Sequence, residues 1–105
     1  MQELRLTPRK VLRTRAGLAI DGREPVFGKT ADVSITGCCV RVPDPVTVGQ
    51  LGQVVFDLMI LGQISHVNTR VKAMYCIYGD GDYKIGLRFE ALDQLTVKAL
   101  ARYMK

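Results

Sequence analysis

The stretch TADVSITGCCV, residues 30–40, places a carboxylate, a hydroxyl and a glycine inside a run that is otherwise typical of a buried β-strand. Asp32, Ser34 and Gly37 are spaced as D-x-S-x-x-G. Asp, Ser and Gly are common wherever a strand ends in a turn, so each residue alone has an ordinary structural explanation. The stretch therefore predicts the end of a strand. Whether it also forms a binding site depends on the rest of the chain.

Short strands are predicted on both sides of this stretch, with a hairpin turn at Asp80-Gly81 or Gly81-Asp82. The segment GQVVFDLMIL is apolar throughout, which indicates a strand packed on both faces or the wall of a barrel. Six short strands at near-regular spacing favour a small barrel or sandwich. The predicted strands are residues 15–22, 26–35, 37–42, 52–61, 64–78 and 83–89.

The C-terminal segment, residues 92–105, changes from a strand period to a helical one. Asp93 is a good N-cap for this helix. Leu92, Leu95, Ala99 and Tyr103 are predicted to share its apolar face. Because an isolated helix of this length is marginally stable in water, we expect it to pack on the strands.

The chain has 105 residues, which fits one domain, and a formal net charge of +5. Several of its basic residues lie close to the N-terminus, whereas the rest of the chain is nearly neutral. A basic excess favours an anionic partner, and here we expect that partner to contact the N-terminal segment. The basic residues of this segment are Arg5, Arg9, Lys10, Arg13 and Arg15.

Several classes of protein are disfavoured by the sequence. No apolar run is long enough to span a bilayer, and the charged N-terminus does not fit a signal peptide, so a cytoplasmic location is expected. Cys38, Cys39 and Cys76 are interpreted as small reduced core residues, and His66 as a surface side chain without metal-ligand partners. The sequence contains no nucleophile motif, phosphate-cradling loop or paired carboxylates. It therefore predicts a protein that is not an enzyme and that has no cofactor or metal.

A second motif precedes the first predicted strand, where Arg9 and Arg13 are spaced as R-x-x-x-R with Lys10 between them. This motif, followed by D-x-S-x-x-G, the segment IGLRF and a final helix, resembles the PilZ domain family of bacterial cyclic di-GMP receptors. The resemblance implies a mainly β fold, a six-stranded antiparallel Greek-key barrel with a C-terminal α-helix. It also implies a flexible leader over residues 1–8 and a PilZ domain over residues 9–105.

The resemblance implies a cyclic di-GMP site in the two motifs. The planar guanidinium of an arginine can donate two parallel hydrogen bonds to guanine O6 and N7, or to a phosphate. The Asp32 carboxylate can accept hydrogen bonds from guanine N1 and N2. The Ser34 hydroxyl is expected to contact a base edge or a phosphate, and Gly37 to allow a left-handed turn beneath a base. Lys10 has the positive charge of a motif arginine but lacks the planar guanidinium that donates two parallel hydrogen bonds. The implied site residues are Arg9, Lys10, Arg13, Asp32, Ser34 and Gly37, with Arg88 either an accessory contact or a solvent-facing residue.

The resemblance also implies a receptor or adaptor that changes conformation on binding cyclic di-GMP. It would then regulate a partner protein of a motility, pilus, secretion or exopolysaccharide system. The N-terminal segment that carries the R-x-x-x-R motif, residues 1–13, is called the arginine segment. It is expected to be mobile until the ligand orders it. The expected partners are cyclic di-GMP and a protein effector, without nucleic acid or a membrane span, and the protein is expected to be a monomer or weak dimer. Two alternatives remain: a small β-barrel that binds nucleic acid, and a PilZ-like adaptor that binds proteins without nucleotide.

Overall fold

The computed structural model describes residues 8–105, which form seven β-strands and one α-helix. All six predicted strands are present, and a short additional strand precedes them. The elements are β1 (Lys10–Val11), β2 (Arg15–Ile20), β3 (Val26–Val33), β4 (Gly37–Val42), β5 (Leu51–Ile60), β6 (Gln63–Gly79), β7 (Asp82–Ala91) and α1 (Gln94–Met104).

Strands β2 to β7 close into one antiparallel barrel in the order β3-β2-β5-β6-β7-β4. The pairing of β3 with β4 completes the ring, so the backbone groups at both edges of the sheet are satisfied. The short strand β1 pairs with the end of β3, where Lys10 lies opposite Val33. This arrangement confirms the predicted six-stranded antiparallel Greek-key barrel with a C-terminal helix.

The barrel interior is filled by side chains that alternate along each strand. In β5, Val54, Phe56 and Leu58 are buried, whereas Val55 and Met59 on the other face are exposed. The apolar run of this strand is therefore a barrel wall and is not packed on both faces. Burial of one such side chain contributes about 1.5–3 kcal/mol, so the interior supplies a large stabilising contribution.

A β-bulge in β3 decides which residues near the D-x-S-x-x-G motif face outwards. Thr30 pairs with Val40 and Asp32 pairs with Cys39, so Ala31 is an extra residue without a partner on β4. In a regular strand, Thr30 and Asp32 would point to the same side. Because of the extra residue, Thr30 is buried while the Asp32 carboxylate is available on the outer face.

The helix α1 begins as predicted, and three of the four residues of its predicted apolar face, Leu92, Ala99 and Tyr103, pack against the core. The Asp93 carboxylate accepts a hydrogen bond from the Thr96 N–H at 2.7 Å, which confirms the N-cap. Thr96 and Leu100 are buried, whereas Leu95 is 80% exposed, so the prediction that Leu95 lies on the packed face is wrong. Residues five positions apart on a helix differ in direction by about 140°, so Leu95 points away when Leu100 packs inwards. No helix within residues 8–105 is long and apolar enough to cross a membrane.

The three cysteines are free thiols in different environments. Cys38 belongs to the barrel core as predicted, Cys39 is buried outside that core, and Cys76 is only half-buried. His66 is on the surface as predicted, with its Nδ1 2.6 Å from a carboxylate oxygen of Asp57. The described part of the chain contains no cluster of three or more side chains that could hold a metal ion.

Candidate functional site

An ion pair between the two sequence motifs forms the centre of the candidate site. Arg9 Nη1 lies 2.6 Å from Asp32 Oδ1, and the two side chains keep 27% and 23% of their surface exposed. Arg9 immediately precedes β1 and Asp32 follows the bulge in β3, so the pairing of these strands brings the two groups together. The hydrogen bond is charge-assisted, and both groups remain accessible to a ligand.

The segment between Arg9 and β2 is held against β3 by Thr30, a residue that no motif in the sequence indicated. The buried Thr30 Oγ1 donates to the Leu12 carbonyl at 2.6 Å and accepts from the Thr14 N–H at 3.0 Å. The Leu12 N–H donates to the Ala31 carbonyl at 3.1 Å. The backbone of Leu12 and Thr14 therefore has hydrogen-bond partners along β3, and the mobility expected for the arginine segment stays a prediction. The predicted leader, residues 1–8, lies outside the described residues except for its last position.

Ser34 is used by the turn between β3 and β4. The side chain is buried, and its Oγ accepts from the N–H groups of Thr36 and Gly37, both at 3.2 Å. The Ser34 N–H donates to the Gly37 carbonyl at 2.8 Å and closes the turn. The hydroxyl expected to contact a ligand is therefore occupied by its own turn, and Ser34 acts by fixing the chain that follows Asp32.

Gly37 is required by the neighbouring strand. Its φ is not positive, so the expected left-handed turn at this residue is wrong. A Cβ at Gly37 would overlap the carbonyl oxygen of Leu87 on β7. The two strands approach closely at this point, and only glycine fits the space between them.

Arg13 lines a groove whose charged side chains are mostly basic. The side chain is exposed, and no ion pair within residues 8–105 involves it. The groove has a volume of about 720 Å³ and is lined by five basic and three acidic side chains, a balance that favours an anion. The charged lining residues are Arg13, Arg15, Lys29, Asp32, Arg41, Asp80, Asp82 and Lys84.

Arg41 and Lys84, which no motif in the sequence indicated, also add basic charge to the groove. They lie opposite each other on β4 and β7. Arg41 is fixed by Asp82 at 2.7 Å and by the Gly79 carbonyl at 2.9 Å. Alternation within each predicted strand could have placed both side chains on an outer face. That β4 pairs with β7 could not be read from either strand alone.

Two uncharged side chains, Tyr75 and Cys39, lie next to Asp32 on the outer face of the barrel. The Tyr75 ring covers Gly86, where a Cβ would overlap it, and the Tyr75 hydroxyl lies 3.5 Å from Cys39 Sγ. Burial raises the pKa of Tyr75 to about 12 and raises the pKa of the Cys39 thiol above its usual value. Both groups are therefore neutral at pH 7, and the charge at this site comes from arginine, lysine and carboxylate side chains.

The structure places Lys10 away from Asp32. Lys10 Nζ donates to the Tyr103 carbonyl at 3.0 Å and lies 4.4 Å from the centre of the Tyr103 ring. Arg9 and Lys10 diverge because consecutive side chains of an extended segment point in opposite directions. Lys10 therefore joins the arginine segment to the C-terminal end of α1.

Arg88 lies opposite Gly37 in the β4–β7 pairing and is exposed on the outer face. Its Nε donates to a carboxylate oxygen of Glu90 at 3.0 Å. This position fits a solvent-facing strand residue and also leaves the guanidinium available at the surface.

The barrel, the ion pair and the basic groove define a small β-barrel domain with a polar site outside its core. The family model of the PilZ domain matches residues 3–105. The chain belongs to the PilZ domain family, whose members are receptor and adaptor domains. No curated protein sequence matches the chain.

Solved structures of PilZ proteins share the fold. The Bacillus subtilis inhibitor of motility, MotI, matches with a TM-score of 0.83 and 14% identity, over 97% of this chain and 50% of that one. The PilZ domain of Escherichia coli YcgR with c-di-GMP matches with a TM-score of 0.74 and 13% identity, over 95% and 88%. The PilZ domain of CeSA from a cellulose-synthesizing bacterium matches with a TM-score of 0.59 and 19% identity, over 90% and 92%. The chain thus spans half the length of MotI, and at these identities the likeness establishes the fold alone.

Proposed function

We propose that this domain binds cyclic di-GMP and acts as a cytoplasmic receptor or adaptor for a protein effector. The observation that carries the proposal is the 2.6 Å ion pair between Arg9 and Asp32, which joins the two PilZ motifs beside a basic groove. The shared fold with the YcgR PilZ domain, whose structure contains c-di-GMP, supports it. The protein is a monomer or weak dimer in this proposal, and its effector belongs to a motility, pilus, secretion or exopolysaccharide system.

Each group at the site has a distinct role in the proposed complex. The exposed Arg13 guanidinium takes a phosphate, or guanine O6 and N7, as a bidentate donor. The Asp32 carboxylate gives up the hydrogen bond that it accepts from Arg9. It accepts hydrogen bonds from guanine N1 and N2 instead. The released Arg9 then bonds or stacks on the ligand. Ser34 and Gly37 hold the backbone that positions Asp32.

The proposed change of conformation starts from this exchange of partners. A ligand that takes Asp32 removes the contact holding Arg9, and the next residue, Lys10, is bonded to Tyr103 at the end of α1. A shift of the arginine segment therefore alters contacts at the helix. Thr30 limits the shift, because its hydrogen bonds retain Leu12 and Thr14 on β3.

Amide hydrogen exchange tests this conformational step. Saturating cyclic di-GMP is expected to change the exchange rates of residues 9–14 and of the last turn of α1. The amides of β5 serve as an internal control, because that strand lies within the barrel wall and should exchange equally in both states. Unchanged exchange over residues 9–14, in a protein shown to bind the ligand, would contradict the change of conformation while leaving binding intact.

Isothermal titration calorimetry tests binding itself. Cyclic di-GMP is expected to bind saturably, and cyclic di-AMP about tenfold more weakly or worse, because adenine lacks O6 and the N1 and N2 hydrogens. Equal affinity for the two dinucleotides would contradict guanine recognition. Binding of neither would favour an adaptor that works without nucleotide.

The salt dependence of binding separates this proposal from nucleic-acid binding. A protein that neutralises several phosphates of single-stranded nucleic acid loses affinity with a log–log slope of about −0.7 per phosphate. Cyclic di-GMP has two phosphates, so its slope should be shallow. Tighter binding of a single-stranded oligonucleotide, with a steep slope, would overturn the receptor proposal in favour of a nucleic-acid-binding barrel.

A further inference from the structure

The tip of the β5–β6 hairpin carries exposed apolar side chains. Leu61 is 88% exposed, and Met59 and its cross-strand partner Ile64 are also exposed. Leu61 has a φ of 51°, in the left-handed region where Asn, Asp and Gly are favoured over a bulky apolar residue. The turn therefore retains a side chain that suits neither its backbone conformation nor its solvent environment. Such a local mismatch is expected at functional positions.

A groove separates this hairpin from the exposed Leu95 of α1. The groove has a volume of about 590 Å³, with Leu61 and Leu95 among its walls and Gln63, Ser65 and Thr96 among its polar lining. We call it the hairpin–helix groove. It lies apart from the basic groove beside Asp32, with which it shares no residue.

The charged side chains that line the hairpin–helix groove are basic, and Asp57, which lies 2.6 Å from the lining residue His66, is outside the lining. Lys98 and Arg102 line it one helical turn apart, and Lys10 and Lys105 line an adjoining groove on the other side of Leu61. The described residues lining the two grooves include no Asp or Glu. Like charges four residues apart destabilise a helix by about 0.2–0.5 kcal/mol. The helix therefore carries an unfavourable charge pair that a negatively charged partner would neutralise.

We propose that the hairpin–helix groove is the docking surface for an acidic amphipathic helix of a protein partner. The apolar stripe of that helix would contact Leu61 and Leu95, and its acidic flank would contact Lys98 and Arg102. The polar lining favours a peptide over a lipid surface, because hydrocarbon would desolvate Ser65 and its polar neighbours without replacing their hydrogen bonds. The proposal deepens the proposed function by giving the chemical class of the effector's contact segment, and its test uses no nucleotide.

A synthetic amphipathic peptide of about 18 residues, with leucines at i, i+3, i+4 and i+7 and glutamates on the flanks, is the probe. Titrated into the isotope-labelled protein, it is expected to shift the amide resonances of residues 59–65 and 95–102. A peptide with lysine in place of every glutamate should bind about tenfold more weakly or worse. Equal binding of the two peptides would overturn the charge complementarity on which the proposal rests.

Substitutions at the surface provide the decisive comparison. Leu61→Asn suits the left-handed backbone, and Leu95→Gln keeps a residue suited to a helix, so both variants should fold. Each is expected to weaken peptide binding by about tenfold. Phe27→Gln replaces an exposed apolar residue of β3 that lines neither the hairpin–helix groove nor the adjoining groove. This control substitution should leave peptide binding unchanged.

The same experiments give different results if the hairpin–helix groove binds something other than an acidic helix. Unchanged peptide binding by Leu61→Asn and Leu95→Gln overturns the proposal. So does binding to vesicles of phosphatidylglycerol and phosphatidylcholine without binding of the acidic peptide, which would assign the surface to a membrane. Dimerisation in sedimentation that Leu61→Asn abolishes would assign it to a second copy of the chain. If cyclic di-GMP fails to bind while the acidic peptide binds, the receptor proposal fails and the docking surface stands.

Discussion

Replacing Arg13 with alanine is expected to weaken cyclic di-GMP binding by about a hundredfold while leaving the thermal unfolding of the barrel unchanged. Hydrogen bonds to charged groups contribute about 1.5–3 kcal/mol each, and a bidentate guanidinium makes two of them. At about 1.4 kcal/mol for each tenfold change in affinity, losing both corresponds to at least two orders of magnitude. The fold should survive because Arg13 is exposed and lies outside the buried core. Calorimetry and thermal unfolding of the same sample measure both effects.

Two further variants separate the geometry of Arg13 from its charge. Arg13→Lys keeps the charge but loses the planar fork, so it should bind with an affinity between those of the wild type and Arg13→Ala. Arg15→Ala removes an equal charge from the same groove, outside the R-x-x-x-R motif, and should change affinity only a few-fold. Equal losses for Arg13→Ala and Arg15→Ala would mean that the groove attracts the ligand only through its overall charge. Wild-type affinity of Arg13→Ala would remove Arg13 from the site.

The strands of the barrel could be predicted because side-chain alternation and turn chemistry are local properties. The hairpin at Asp80-Gly81 adopts the positive φ values, 55° and 86°, that its sequence predicts. The packed face of α1 was predicted for Leu92, Ala99 and Tyr103 but not for Leu95, because its exact boundary depends on where the helix meets the barrel. Leu95 fits an apolar helical stripe as well as Leu100 does, and only the tertiary contact distinguishes them.

The candidate site stays a prediction from its motifs, and the contacts that several of its residues make could not be predicted from them. The Ser34 hydroxyl accepts from the Thr36 N–H within its own turn, and a Cβ at Gly37 would overlap the Leu87 carbonyl oxygen, so both residues have structural contacts that the motif does not specify. The bulge at Ala31, which exposes Asp32, is visible only in the register between β3 and β4. A sequence taken alone specifies residue types and spacing but not the register between strands.

Asp32→Asn is expected to weaken cyclic di-GMP binding by about tenfold or more, with a smaller effect on cyclic di-AMP. The substitution keeps the size of the side chain but replaces one carboxylate oxygen with an amide donor, which would face the N1 and N2 donors of guanine. Asp80→Asn is the matched control, because Asp80 lines the same groove and its φ of 55° suits asparagine. It should leave affinity within a few-fold of the wild type. Equal effects of the two substitutions would indicate a general change of charge.

A double-mutant cycle with Arg9 decides how Asp32 acts. Asp32 is bonded to Arg9, so its substitution could weaken binding only by releasing that arginine from its position. In that case Asp32→Asn would have no further effect in an Arg9→Ala background. If the carboxylate accepts from guanine directly, most of the tenfold loss of affinity should persist without Arg9.

The single substitution Arg9→Ala should then weaken binding less than Arg13→Ala does. It removes a ligand contact, but it also removes the arginine that competes for Asp32 in the free protein. A larger loss for Arg9→Ala than for Arg13→Ala would show instead that the ion pair is retained in the complex as a preformed part of the site.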